Sequence, residues 1–174
     1  MNQTVKKIFD QLRPLCLASS SPRRKDMLQN LGLEFFSISP DIDENRRDSE
    51  TAESFVKRVA LDKGRKIFQD HESLPGKTLI LSGDTIVVLQ GHILGKPEDQ
   101  IEAGKMIDRL SGKTHQVSTA FVVLDTSNGE EFVQQVSTKV TFRNLDAGLI
   151  KWYQGLGEGP VSYTHLTLPT ICSV

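Results

Sequence analysis

An apolar run, Leu15–Ala18, empties without a break into Ser19-Ser20-Ser21-Pro22, and no other feature of the chain restricts its fold as strongly. A run this short and apolar, closed at once by hydroxyl residues, reads as a buried strand. Ser21 suits the N-cap of a following helix. Pro22 suits its first position, where a missing N–H has no intrahelical role. Met27, Leu28 and Leu31 then fall on one predicted helical face, and Gly32 is placed to end the helix. The unit is strand, polar turn, helix, the repeating element of α/β architectures.

The remainder continues in kind. Residues 34–39 are a second strand candidate, bounded by Pro40, and residues 41–50 read as an acidic, polar loop. From Thr51 onward Phe55, Val56, Val59, Ala60 and Ile67 recur at helical spacing, with Gly64 as a weak point. A turn-rich connector over 71–77 leads to two strand runs, 78–81 and 86–89, on either side of Gly83-Asp84-Thr85. A helix over 98–110 is expected to bury Ile101, Ala103, Met106, Ile107 and Leu110. Two longer strands, 116–125 and 131–142, flank Asn128-Gly129, a strong hairpin dipeptide. A short helix over 146–154 follows. The expectation is an α/β fold, a mixed β-sheet with flanking helices, forming one domain over residues 1–158. Residues 159–174, lacking both period and helix cap, read as a tail foreign to that domain.

Composition narrows the function classes. A chain of 174 residues supports one good core. Its formal net charge of −1 gives no global basic field, so nucleic acid is not an expected partner. No run of about 18 apolar residues occurs, so no membrane-spanning helix is expected. The two cysteines, Cys16 and Cys172, stand far apart and outside any C-x-x-C pattern. With no apolar segment after the first lysines, they point to a reducing, cytoplasmic setting.

Several residues offer chemistry. A strand running into a capped helix leaves N–H groups and the positive dipole end facing outward, a ready anion site. Ser19, Ser21, Arg23 and Arg24 add hydroxyls and fork-shaped donors suited to phosphate oxygens. The plainer alternative is an N-cap followed by two solvated arginines. Asp41, Asp43 and Glu44 form a carboxylate cluster that either holds Mg²⁺ or merely solvates a loop. Asp84, between two strand runs at an expected strand end, either activates a water and ligates a metal or caps a turn. Gly83 beside it permits close backbone approach by a ligand. Lys96 before Pro97 can neutralise phosphate charge or remain a surface lysine, and Lys63 and Arg58 share that ambiguity. Ser111-Gly112-Lys113-Thr114 lacks the first glycine of a Walker loop and is rejected as one. The four histidines form no H-x-x-x-H pair, and no G-x-S-x-G elbow is present. By residue chemistry alone a phosphate ligand is indicated and the reaction stays open.

In order and spacing, the segments LASSSPRRKDML, DIDENRR with FVKRVALDKG, GDTIVVLQGHILGKP and IDRLSGKTHQVSTAF resemble the Maf family of nucleotide pyrophosphatases. TKVTFRNLDAGLIKWYQGLGE agrees with the region which that family carries before its last motif. The resemblance implies two lobes around a cleft, as in inosine-triphosphate pyrophosphatases, and hydrolysis of a nucleoside triphosphate to monophosphate and pyrophosphate. It assigns phosphate contacts to Ser19, Arg23, Arg24, Lys63 and Lys96, with Arg23 also bearing on substrate choice. It assigns metal and water to Glu44 and Asp84, with Asp84 as proton acceptor and Mg²⁺ or Mn²⁺ as cofactor. Ser-Pro-Arg-Arg together with Asp84-Thr85 is similar to the branch acting on dTTP and UTP; the 7-methyl-GTP branch is the alternative. Homodimers are common in the family. The family's next motif, near K-A-G-x-Y-G-I-Q-G, does not follow Glu158, so a chain cut short at its C-terminal end is expected. A non-catalytic nucleotide-binding protein with a division-regulatory role is the competing functional reading.

Overall fold

The structure, a computed structural model, describes residues 13–70 and 74–155. The tail over 159–174 and the first part of the 71–77 connector lie outside them.

Strand β1 (Leu15–Ala18) is followed by helix α1 (Pro22–Asn30), β2 (Phe36–Ile38), α2 (Ala52–Asp70), β3 (Leu79–Leu89) and β4 (His92–Leu94). Helix α3 (Gln100–Leu110), β5 (Thr114–Asp125), β6 (Glu131–Thr141) and α4 (Ala147–Gly155) complete the described chain. The sheet runs β2-β1-β3-β5-β6, with β4 paired to β3. β1 is parallel to both neighbours, setting Cys16 opposite Phe36 and Ile80, and Ala18 opposite Ile38 and Ser82. β4 is antiparallel to β3, with Val87 opposite Leu94. The fold is therefore mixed α/β. Parallel neighbours on both sides explain why Leu-Cys-Leu-Ala is continuously apolar instead of alternating.

Helix α1 begins at Pro22 with an extended Ser21 before it. It stops where Gly32 takes φ +71° and donates to the Gln29 carbonyl, a left-handed geometry that glycine adopts without strain. Its buried stripe is narrower than its apolar one. Leu28 is buried, but Met27 and Leu31 remain 65% and 53% exposed, contrary to the expected three-residue face. Along α2 every expected core residue is buried, together with Lys63 and Gly64. Gly64 is where the helix meets the sheet most closely. A Cβ there would stand 2.9 Å from Ser82 Oγ, whose hydroxyl donates to the Ala60 carbonyl at 2.7 Å.

The two strand runs around Gly83-Asp84-Thr85 are one 11-residue strand, so Asp84 lies within β3 and not at a strand end. Glycine and aspartate favour turns when local chemistry decides. Here an ion-pair partner lets the aspartate stay buried inside a strand.

The chain divides into two compact units. One comprises residues 1–84 and 119–135, the other 85–118 and 136–174. The first packs Cys16, Ala18, Ile67, Ile80 and Leu124 together, with Phe36, Ile38 and Leu74 against them. Burial pushes the Cys16 thiol up to about 11. Arg13 grips Asp125 at 2.8 Å and Arg65 grips Glu131 at 2.7 Å, tying helix and chain start to the β5–β6 hairpin. That hairpin turns through Gly129 at φ +73°, as Asn128-Gly129 predicts.

The second unit packs Val87, Leu89, Leu94, Leu110 and Phe142, joined by Val117, Val140 and Leu145. Asp99 caps α3 by accepting from the Glu102 N–H at 2.7 Å, and Glu102 returns a bond to the Glu98 N–H at 2.6 Å. The helix so begins two residues later than expected, and Ile101 in its first turn is 64% exposed instead of buried. Ser111-Gly112-Lys113 is a turn: Ser111 Oγ accepts from Leu145 N–H at 2.8 Å, and Gly112, at φ +64°, donates to Arg143 O. His115 is buried edge-on to Phe142 at 4.8 Å, and among the described residues its Nδ1 has no hydrogen-bond partner. Burial pushes its pKa below the ordinary value.

Two outcomes follow from this packing. Gly64→Ala should lower unfolding free energy by about 1–3 kcal/mol in urea titration, because the new methyl must displace the Ser82 hydroxyl from Ala60. His115 binds its proton more readily unfolded than folded. Stability should therefore be full above its ordinary value of 6.5 and decline as pH falls below it. Thermal melts of His115→Phe should lack that part of the decline.

Candidate active site

The end of β1, the start of α1, the acidic loop, α2 and β3 deliver five polar side chains to one place within the first unit. Ser19 is buried, and its Oγ accepts from the Ser21 N–H at 3.1 Å and from Arg24 Nη1 at 3.2 Å. Ser21 is the N-cap by backbone, but its side chain makes no capping bond, so it is Ser19 that shapes the turn. Arg24 points inward. Burial pushes its guanidinium pKa down, and the charges of Asp84 and Glu44 draw it back up. Gly83 lies beside it, packed tightly against β5. A Cβ there would meet the Ala120 carbonyl at 3.0 Å and Arg24 Nε at 3.7 Å. The close approach at Gly83 is thus made by the Ala120 carbonyl of β5, with Arg24 at ordinary contact distance.

Lys63 forms the centre. Its Nζ lies 2.9 Å from Asp84 Oδ1 and 2.8 Å from Glu44 Oε1, and Lys63 and Asp84 are only 7% and 8% exposed. Two cations and two carboxylates therefore balance in a site whose Lys63–Asp84 core is buried and whose Glu44 side is open to solvent. In that core, removing one member strands a charge, which costs far more than a surface pair would.

The acidic loop does not act as a cluster. Glu44 turns inward to Lys63, whereas Asp43 accepts from the Asn45 N–H at 2.9 Å and Asp41 is exposed. Arg58 does not join the site; it pairs with Glu50 and Asp62. Arg23 is half-buried on α1. Thr85, exposed on β3, and Lys96, exposed after β4, belong to the second unit.

Among the described residues no three or more His, Cys, Asp or Glu side chains group as a metal site. A small divalent cation that keeps its waters and takes substrate phosphates needs only one or two carboxylates. Glu44 and Asp84 both turn to the Lys63 ammonium within 3 Å, so the two carboxylates face one point that the lysine itself fills. Two carboxylates are the donor type such an ion takes.

Local sequence signals find Ser19 and Arg24 through the strand–helix junction. They do not find the Glu44–Lys63–Asp84 contact, whose members are separated by whole elements. A lysine at the centre of an otherwise apolar helical stripe is the one local hint of it.

The model of the family described as Maf-like protein matches residues 14–163. A dTTP/UTP pyrophosphatase of Symbiobacterium thermophilum is 40% identical over 147 residues, 84% of this chain and 73% of that protein. One from Myxococcus xanthus is 43% identical over 144 residues, 83% of this chain and 70% of its own length. The solved Staphylococcus aureus Ham1 protein overlays 74% of this chain and 71% of its own at 14% identity and a TM-score of 0.47, a likeness on which nothing further rests. With the family match spanning both compact units and the relatives aligned over most of their length, the chain belongs to the Maf-like protein family.

Proposed function

We propose that this chain hydrolyses dTTP and UTP between the α- and β-phosphates, yielding the monophosphate and pyrophosphate. The observation that carries the reading is the buried cluster in which Lys63 bridges Glu44 and Asp84 beside Arg24 and Ser19. The names of relatives about 40% identical support the substrate class.

Phosphoryl transfer asks a protein for positioning, charge neutralisation and an oriented water. The N-terminus of α1, with Ser19 and Arg24 at its mouth, takes phosphate oxygens. Asp84 orients the attacking water and accepts its proton as the new P–O bond forms at the α-phosphorus. The bond to the bridging oxygen breaks, and pyrophosphate leaves with the electron pair. Lys63 offsets charge on the phosphates. Mg²⁺ or Mn²⁺, held by Glu44 and Asp84, supplies further neutralisation of phosphate oxygens when bound. The family pattern extends the site to Lys96 on the phosphates, Arg23 in substrate choice, and Ser21 and Thr85 as further substrate contacts. A small nucleotide, and not a nucleic acid, suits a net charge of −1. A cytoplasmic, homodimeric enzyme completes the reading, the free thiol at Cys16 agreeing with a reducing setting.

Pyrophosphate release from dTTP, UTP and 7-methyl-GTP in Mg²⁺ tests it. Both pyrimidine nucleotides should be cleaved, and Asp84→Asn should lose about 10²–10⁴-fold in kcat while still binding dTTP. Preferential cleavage of 7-methyl-GTP would move the chain to the other branch. Nucleotide binding with no release from any of the three would show a non-catalytic protein.

A further inference from the structure

We propose that Arg58 is a positioning residue that clamps the acidic loop onto α2, holding Glu44 against Lys63. The proposal rests on the reading of Glu44 and Lys63 as parts of the active site.

Residues 42–47 have no helix or strand to define their path, so side-chain bonds must do so. One guanidinium links the loop, the residue that ends it and the helix. Arg58 Nε and Nη2 fork onto the Glu50 carboxylate at 2.5 and 2.9 Å. Nη2 also donates to the Asn45 carbonyl at 2.9 Å, and Nη1 donates to Asp62 Oδ2 at 3.2 Å. Asn45 follows Glu44 in the chain, and Asp62 precedes Lys63. The same planar group therefore grips the neighbour of each partner in the Glu44–Lys63 pair. The guanidinium also lies 5.5 Å over the Phe55 ring, so its plane is supported from below.

The loop is bent to meet this clamp. Ser49 takes φ +66°, the left-handed region disfavoured for a residue with a side chain, and so turns Glu50 back toward the helix. Glu50 accepts a further bond from the Arg47 N–H at 2.9 Å, and its backbone carbonyl accepts from Arg46 Nε at 3.1 Å. The paired guanidinium holds the Glu50 carboxyl down at about 2, so the clamp stays ionic across the pH range of enzyme assays.

The test uses Arg58→Ala in the full chain, alone and combined with Glu44→Gln. If Arg58 acts through Glu44, Arg58→Ala should lower kcat for pyrophosphate release by up to about a hundredfold, as misplacement of a catalytic group does. The double variant should then be no slower than Glu44→Gln alone. Arg58→Lys, which keeps the charge but loses the fork, should fall between. A second readout needs no turnover. Trypsin cleavage after the exposed Arg46 and Arg47 should rise about tenfold in Arg58→Ala, while cleavage after the exposed Lys77 stays at the parent rate. Multiplicative losses in the double variant, or equal acceleration at Arg46, Arg47 and Lys77, would reduce Arg58 to general stability and overturn the proposal. A parent chain that releases no pyrophosphate would sink the functional reading, and the cleavage pattern would still decide whether Arg58 holds the loop.

Discussion

A single buried ammonium holds the candidate site together. Lys63 faces two carboxylates from different parts of the chain, Glu44 and Asp84, at 2.8 and 2.9 Å. Asp84 is buried inside a strand with no cation beside it in the chain, and Glu44 reaches the same ammonium from the acidic loop. Burying Lys63 or Asp84 without the other would leave an uncompensated charge. The contact therefore demands that the acidic loop, α2 and β3 all arrive together, and much of the surrounding architecture can be understood as meeting that demand.

The glycines show how. Gly64 follows Lys63 and lets α2 lie against β3 closely enough for Ser82 to bond the Ala60 carbonyl. Gly83 precedes Asp84 and lets the Ala120 carbonyl of β5 come close to the strand. Each half of the ion pair thus has an adjacent residue without a side chain, and each missing Cβ is replaced by a specific neighbour. The charges are close because the backbone next to them is bare. Arg24 adds the second cation, and Ser19 fixes it from the end of β1.

Much of this fold was legible in advance, because it depends on local chemistry. Leu15–Ala18, the Ser21-Pro22 helix start, the Gly32 stop and the Asn128-Gly129 hairpin all lie where short-range rules put them. The apolar stripe of α2 was equally plain. Most of the errors depend on a distant partner, the late start of α3 at its own Asp99 cap being the local exception. Gly83-Asp84-Thr85 looks like a turn until Lys63 is brought to it across 21 positions. Met27, Leu31 and Ile101 look like core residues until the width of the covered stripe is known. At the site, Ser19 and Arg24 could be proposed from the helix start, whereas the inward turn of Glu44 away from Asp41 and Asp43 could not. That turn is set by long-range bonds which no spacing rule encodes.

Cys16 carries a different implication. Its thiol sits inside the sheet, flanked across parallel strands by Phe36 and Ile80, with its pKa pushed up to about 11. Thiols react as thiolates, and this one is both protonated and walled off. An oxidant or alkylating reagent meets it only when the strands part. The chemical lifetime of that sulfur therefore measures the mechanical lifetime of the central sheet. The protein carries its own clock for how often its core opens.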